Sequence, residues 1–171
     1  GRLVTLSRKA HLLPRVSESK PLSEHFIEML SESGERLQRV SLIEAFENAA
    51  PEFRRFWDDR KRRFGDVLHA NSVRVLDGSH VEQMPAFARG NVLVSIRNMD
   101  AVAVVDLDDK KVVWAARGMF RRQHDAELLA NGRLLLFDNR RMKRHSAVRE
   151  FEPATMLQKW VYRGGRGRPF Y

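Results

Sequence analysis

Three features of this sequence predict an all-β chain: a partial β-propeller of about three four-stranded blades with a short helical insert. First, β-branched apolar runs such as "NVLVSIRN" and "AVAVVDLDDKKVVWAA" recur at short spacing, separated by Gly, Asn and Asp turn residues. Second, a unit repeats: "HANSVRVLDG" matches "HDAELLANG", "GNVLVSIRN" matches "GRLLLFDNR", and "VVDLDDKKVVWAARG" matches "VREFEPATMLQKWVYRG". The offset is about 55 residues at the start of the unit and about 42 later, near the period of propeller blades. Third, no long helical crossover separates the copies, so four antiparallel strands per unit fit blades around an axis better than a parallel sheet.

The elements follow in order. "GRLVTLSRKAHLL" carries a short apolar run, and "HFIEMLSESGERLQRVSL" reads as a hairpin around Ser33-Gly34. Together they form an eroded first copy of the unit. The period then changes. Ser41 with Glu44 is a capping-box signature, and Leu42, Ile43, Phe46 and Ala49 make a helical apolar stripe. Pro51 suits the first position of a second helix, with Phe53, Phe56 and Trp57 on one side and "DDRKRR" following. Residues 41–64 are therefore expected as a helical insert between blades, within one propeller domain spanning 1–171. From Val67 onward strand chemistry returns: "VLHANSVRVLDG", "NVLVSIRN", "AVAVVDLDDKKVVWAA" with an Asp108-Asp109 turn, "LLLFDN" after Asn131-Gly132, and "AVREFEPATMLQKWVY".

Propellers normally close with about four to eight blades. Three do not close, so the chain is expected to belong to a longer polypeptide, or to an oligomer that completes the ring. The 171 residues carry 43% hydrophobic and 31% charged residues, a globular balance. No apolar stretch approaches the roughly 20 residues of a membrane span. Nothing at the N-terminus reads as a secretory leader, and the compartment stays open between cytoplasmic and exported. The absence of cysteine rules out disulfides and thiolate chemistry. A formal charge of +9, concentrated in pairs such as Arg54-Arg55, Arg121-Arg122 and Arg140-Arg141, favours anionic partners. No His-x-x-x-His pair, acidic calcium loop or phosphate-cradling glycine loop is present, so neither metal nor cofactor is expected.

His69 and His124 stand at the same place in their repeats, the first position of the innermost strand, where equivalent residues converge on the axis. Imidazoles gathered there can serve as nucleophile, acid or base, or anion donors. The plain alternative is that each ties neighbouring strands together. Asn71, Asp125, Asp138 and Asn139 flank apolar runs, where they either orient those rings or simply make turns. Arg97, Arg140 and Arg141 follow the second strand of their units and are candidates to neutralise a transferring oxyanion. His11, His25, His80 and His145 lack repeated context and read as surface or loop residues. The tail "RGGRGRPFY" resembles an Arg-Gly-Gly nucleic-acid segment, but an inter-blade loop is the preferred reading, because Trp160-Val-Tyr162 ends the preceding blade as Trp114-Ala-Ala116 does, and nucleic-acid binding is the least favoured function.

"LHANSVRVLDG", "NVLVSIRNMDAVAVVDLDDKKVVWAARG" and "QHDAELLANGRLLLFDN" resemble the arylsulfotransferase (aryl-sulfate sulfotransferase) family, most strongly from Leu68 to Tyr162, and "GERLQRVSLIEAF" is similar to the stretch preceding that family's first histidine motif. The resemblance implies a six-bladed propeller, of which this chain holds the middle blades. It also implies transfer of a sulfuryl group from a phenolic sulfate ester to a phenol through a sulfohistidine, without a nucleotide donor. By motif, His69 and His124 match two histidines that bind and polarise the sulfate, and Arg140, or less closely Arg141, matches a sulfate-clamping arginine. The resemblance places the nucleophilic histidine in a later blade beyond Tyr171, so this chain alone is expected to lack activity. The rival reading is a non-catalytic propeller that binds a protein or polyanion through its basic surface.

Overall fold

The computed structural model describes residues 1–60, 63–139 and 145–163. Among the described residues, eleven strands form three antiparallel meanders. The first sheet contains β1 (Arg2–Leu13), β2 (Ser17–Ser31) and β3 (Arg36–Ser41). The second contains β4 (Ala70–Val75), β5 (Val92–Ile96), β6 (Ala101–Asp106) and β7 (Lys111–Arg117). The third contains β8 (His124–Leu128), β9 (Leu134–Asp138), β10 (Ala147–Phe151) and β11 (Gln158–Arg163).

Register explains how the sheets stack. In the second sheet Val92 pairs with Val105, Val94 with Ala103 and Ile96 with Ala101, and all six side chains face the first sheet. Leu93 pairs with Val104 on the opposite face, and with Val102 these meet Leu134, Leu136 and Phe151 of the third sheet. A strand apolar on both faces is what a sheet sandwiched between two others requires, and β5 is buried along its whole length. The chain is thus a stack of blade-like sheets, a partial all-β propeller-like fold. Among the described residues, no helix is long and apolar enough to cross a membrane.

The first unit departs from the expected four strands. It has three, and its β1–β2 hairpin extends through "SESKPLS", a polar stretch whose strand character the sequence hides. A short parallel bridge between Leu22 and Gly65 extends the edge of β2. That bridge fixes the segment leading to His69, because Ser23 N donates to Gly65 O (2.8 Å) and Gly65 N to Pro21 O (3.0 Å).

Helix α1 (Leu42–Glu47) starts as its sequence signals, with Ser41 Oγ accepting from Glu44 N at 3.3 Å. Its Leu42, Ile43, Ala45 and Phe46 are buried. Helix α2 (Pro51–Asp58) begins on Pro51 and buries Phe56 and Trp57. Both helices lie against β7. Gln38 Nε2 and Asn48 Nδ2 donate to the carbonyls of Leu107 (2.6 Å) and Lys110 (3.1 Å), which ties this segment to the β6–β7 turn.

Candidate functional site

The inner strands β1, β4 and β8 lie side by side, which brings the starts of β4 and β8 together. Each of those starts carries a bulge, between Ala70 and Ser72 in β4 and between His124 and Glu127 in β8. A bulge re-aims the side chains next to it. At these two places stand His69 and His124.

His69 sits at φ 52, in the left-handed region, where a non-glycine residue persists only if its surroundings hold it. Here they do. Its N–H donates to Asp66 Oδ1 (3.0 Å), its carbonyl accepts from Arg97 N (3.1 Å), and its Nδ1 lies 2.5 Å from Asp66 Oδ2. Asn98 secures the same segment from the second sheet, its N–H donating to Leu68 O (2.9 Å) and its Nδ2 to Asp66 O (2.7 Å). Arg97, on the short 3-10 turn Arg97–Met99, is thereby fixed beside His69, with its guanidinium 3.1 Å from Asn98 Oδ1.

His124 is placed by the residue before it. Gln123 is fully buried, and its Nε2 donates to Ala101 O (2.6 Å) and Ser95 Oγ (3.2 Å) of the neighbouring sheet. Its carbonyl accepts from Asn71 Nδ2 (2.8 Å). In "QHD" the glutamine is the anchor and the histidine is what it presents. Burial pushes the His124 ring below its ordinary value of 6.5, and the Arg97 charge and His69 push the same way. The Arg122 carbonyl and the Asn139 amide, within hydrogen-bonding reach, partly oppose them. His69, Arg97, His124 and Asn139 therefore form one group, a pair of imidazoles, a guanidinium and a carboxamide, suited to an oxyanion.

The other candidates are placed elsewhere. Asn71 reaches the group only through Gln123. Asp125 points outward into an exposed ion pair with Arg74 (2.8 Å). Asp138 is fully buried, accepting from Arg121 N (2.9 Å) and pairing with Arg149 (2.8 Å) inside the third sheet. Arg140 and Arg141, and the tail from residue 164, lie outside the described residues.

His25 corrects the expectation of a surface residue. It is buried in β2, with Nε2 3.1 Å from Asp66 Oδ1. Burial holds its ring below 6.5 against the opposing pull of Asp66. Burial would raise Asp66, but its bonds to His69 and His25 outweigh that and hold the carboxyl below the usual 3.8. Leu6, Ser7, Arg8, His25, His69 and Ala70 enclose a cleft of about 230 Å³ between the first and second sheets. Sequence reading missed Asp66 and His25. The one available signal was the Asp-x-x-His spacing, which lets a carboxylate bond the backbone and ring of the residue three positions on.

An all-β stack with paired histidines at the starts of its inner strands and an arginine on the turn beside them is the class of protein these features define. Residues 13–159 match the arylsulfotransferase (ASST) family, and the chain belongs to that family. A comparison with curated proteins gives no match. Among solved structures the chain is similar to a protein of unknown function from Bacteroides caccae, with a TM-score of 0.47 and 11% identity over 92% of this chain. The chain spans 46% of that protein's length.

Proposed function

We propose that the protein to which this chain belongs transfers a sulfuryl group from a phenolic sulfate ester to a phenol through a histidine intermediate, with residues 1–171 forming part of one propeller domain and 41–64 inserted between its blades. The observation that carries this reading, beside family membership, is the grouping of His69 and His124, at the starts of adjoining inner strands, with Arg97 and Asn139 from the ends of the next strands. A sulfate ester resists nucleophiles until charge on its sulfuryl oxygens and departing phenolate is stabilised; imidazole and guanidinium donors held in place by Gln123 and Asn98 supply that stabilisation. The nucleophile belongs to a part of the polypeptide beyond Tyr171, and Arg140 or Arg141 completes the clamp.

The test is nitrophenolate release from 4-nitrophenyl sulfate with phenol as acceptor, using the longest natural chain beside the 171-residue piece. Release by the long chain alone, abolished by His124→Ala without loss of folding, is the expected result. Release unaffected by His124→Ala would sink the site assignment, and no release by either chain would favour a binding propeller.

A further inference from the structure

We propose that Asp66 is a positioning residue that locks His69 with its Nε2 lone pair facing the cleft beside β1, so that His69 takes the proton of the phenolic acceptor. The assignment rests on the sulfuryl-transfer reading above. Its geometric basis is independent of that reading.

Asp66 engages two imidazoles at once, His69 Nδ1 at 2.5 Å and His25 Nε2 at 3.1 Å. Both bonds and the His69 backbone N–H keep the carboxyl ionised at neutral pH. A carboxylate only accepts, so the nitrogens facing it must be donors. Neutral His69 is therefore the Nδ1–H tautomer and carries its lone pair on Nε2, whereas His25 is the Nε2–H tautomer. The ring is held at Nδ1 by Asp66 Oδ2, and the left-handed backbone that presents it is pinned on both sides, by Asp66 at its N–H and by Arg97 at its carbonyl.

Among the described residues no such carboxylate acts on His124; its neighbours there are the Arg97 charge, the Arg122 carbonyl, His69 and Asn139. The two histidines thus have different work. His124 and Arg97 suit the sulfuryl oxygens, and His69 suits proton transfer, since its Nδ1 stays bonded to the carboxylate while Nε2 takes or gives the proton. In the step proposed, the phenol O–H proton passes to His69 Nε2, and the O–H electron pair stays on the oxygen that attacks the sulfuryl sulfur, while the S–N bond to the sulfohistidine breaks and its electron pair returns to that ring nitrogen. The His69 ring then holds two N–H bonds, one still on Asp66. In the donor half the nucleophilic histidine nitrogen bonds to sulfur as the ester S–O bond breaks, and the proton held on His69 passes to the departing phenolate oxygen. The charged and titratable groups facing His69 are Arg8 and His25 from the first sheet, Asp66, and His124 with Arg97 on the other side.

Two measurements test this. Long-range 15N–1H NMR of the histidine rings in the 171-residue chain should show His69 protonated on Nδ1 and His25 on Nε2, with the His69 tautomer lost in Asp66→Asn. A neutral His69 ring in the unaltered chain that carries its single proton on Nε2 overturns the proposal, whether or not the variant folds. In the active long chain, Asp66→Asn should lower kcat about a hundredfold or more and shift the acidic limb of the pH–rate profile. An active parent whose Asp66→Asn variant keeps its rate and profile overturns this proposal alone. An inactive parent with the expected tautomers overturns the sulfuryl-transfer reading, and the base role with it.

Discussion

Two aspartates on comparable sequence backgrounds part company in the structure. Asp125 adjoins a candidate histidine, yet its side chain is 66% exposed and pairs with Arg74 in water. Asp138 is wholly buried against Arg149, whose Nε and Nη2 also reach Gln158 Oε1. Removing one partner of a buried pair strands the other charge at a cost of about 3–5 kcal/mol, whereas an exposed pair contributes about 0–1 kcal/mol. Asp138→Ala should therefore lower unfolding free energy in urea by about 3–5 kcal/mol and Asp125→Ala by under about 1 kcal/mol. Equal effects would show that burial does not separate them. Histidine chemistry gives a second residue-level outcome. His25 and His124 both have folded pKa values below 6.5, so between the folded and unfolded values the unfolded chain binds the extra proton. Stability is then full above about 6.5 and falls as pH drops below it. Urea midpoints across that range should decline toward acid, less steeply in His25→Gln; a midpoint rising toward acid would reverse the assigned direction.

At the level of elements, local signals decided most of what could be read. The Asn131-Gly132 turn, with Gly132 at φ 78, joins β8 and β9 where the dipeptide demands a left-handed residue, and the His80 ring lies 3.1 Å from where a Cβ would stand. Ser41 opens α1 as its capping box predicts, but the structure adds a bond invisible in sequence: Ser41 Oγ donates to Glu24 Oε1 at 2.5 Å across the sheet. The hydroxyl thus serves a helix cap and a buried carboxylate that His11 also meets at 2.6 Å. Ser41→Ala should cost about 1–3 kcal/mol, more than a solvent-facing cap alone, because a buried acceptor loses its donor. A loss of only a few tenths in chemical denaturation would show that water replaces the hydroxyl. His69 and His124 were legible for a different reason: repetition marked equivalent positions before any contact was known. Asp66 and His25 were not, since their pairing spans separate elements, and one of them lies in a unit too diverged to align with its neighbours.

Across the whole molecule, the second sheet shows what the third one lacks. Sandwiched between neighbours, β5 is buried on both faces and apolar but for Ser95. Strand β9, its repeat counterpart, alternates buried and half-buried residues: Leu134, Leu136 and Asp138 turn inward, and Leu135 and Phe137 turn to the other face. On that face Leu135 pairs with Glu150, and Glu150 with Trp160; Phe137 pairs with Val148, and Val148 with Tyr162. Trp160 and Tyr162 stack at 6.4 Å and remain 46% and 49% exposed. A contiguous aromatic and aliphatic face of this kind is costly to leave in water. The 171-residue chain by itself should therefore self-associate with rising concentration in sedimentation velocity and bind a hydrophobic dye. Trp160→Lys should weaken both without changing the unfolding cooperativity of the core, because Trp160 lies outside both buried clusters. The longest natural chain should show neither behaviour if a further blade covers this face, so a sticky long chain would argue for assembly between copies instead. A monomeric, dye-silent short chain would mean that the cross-strand charges, Glu150 and its partner Arg133 at 3.1 Å, are enough to keep the face solvated.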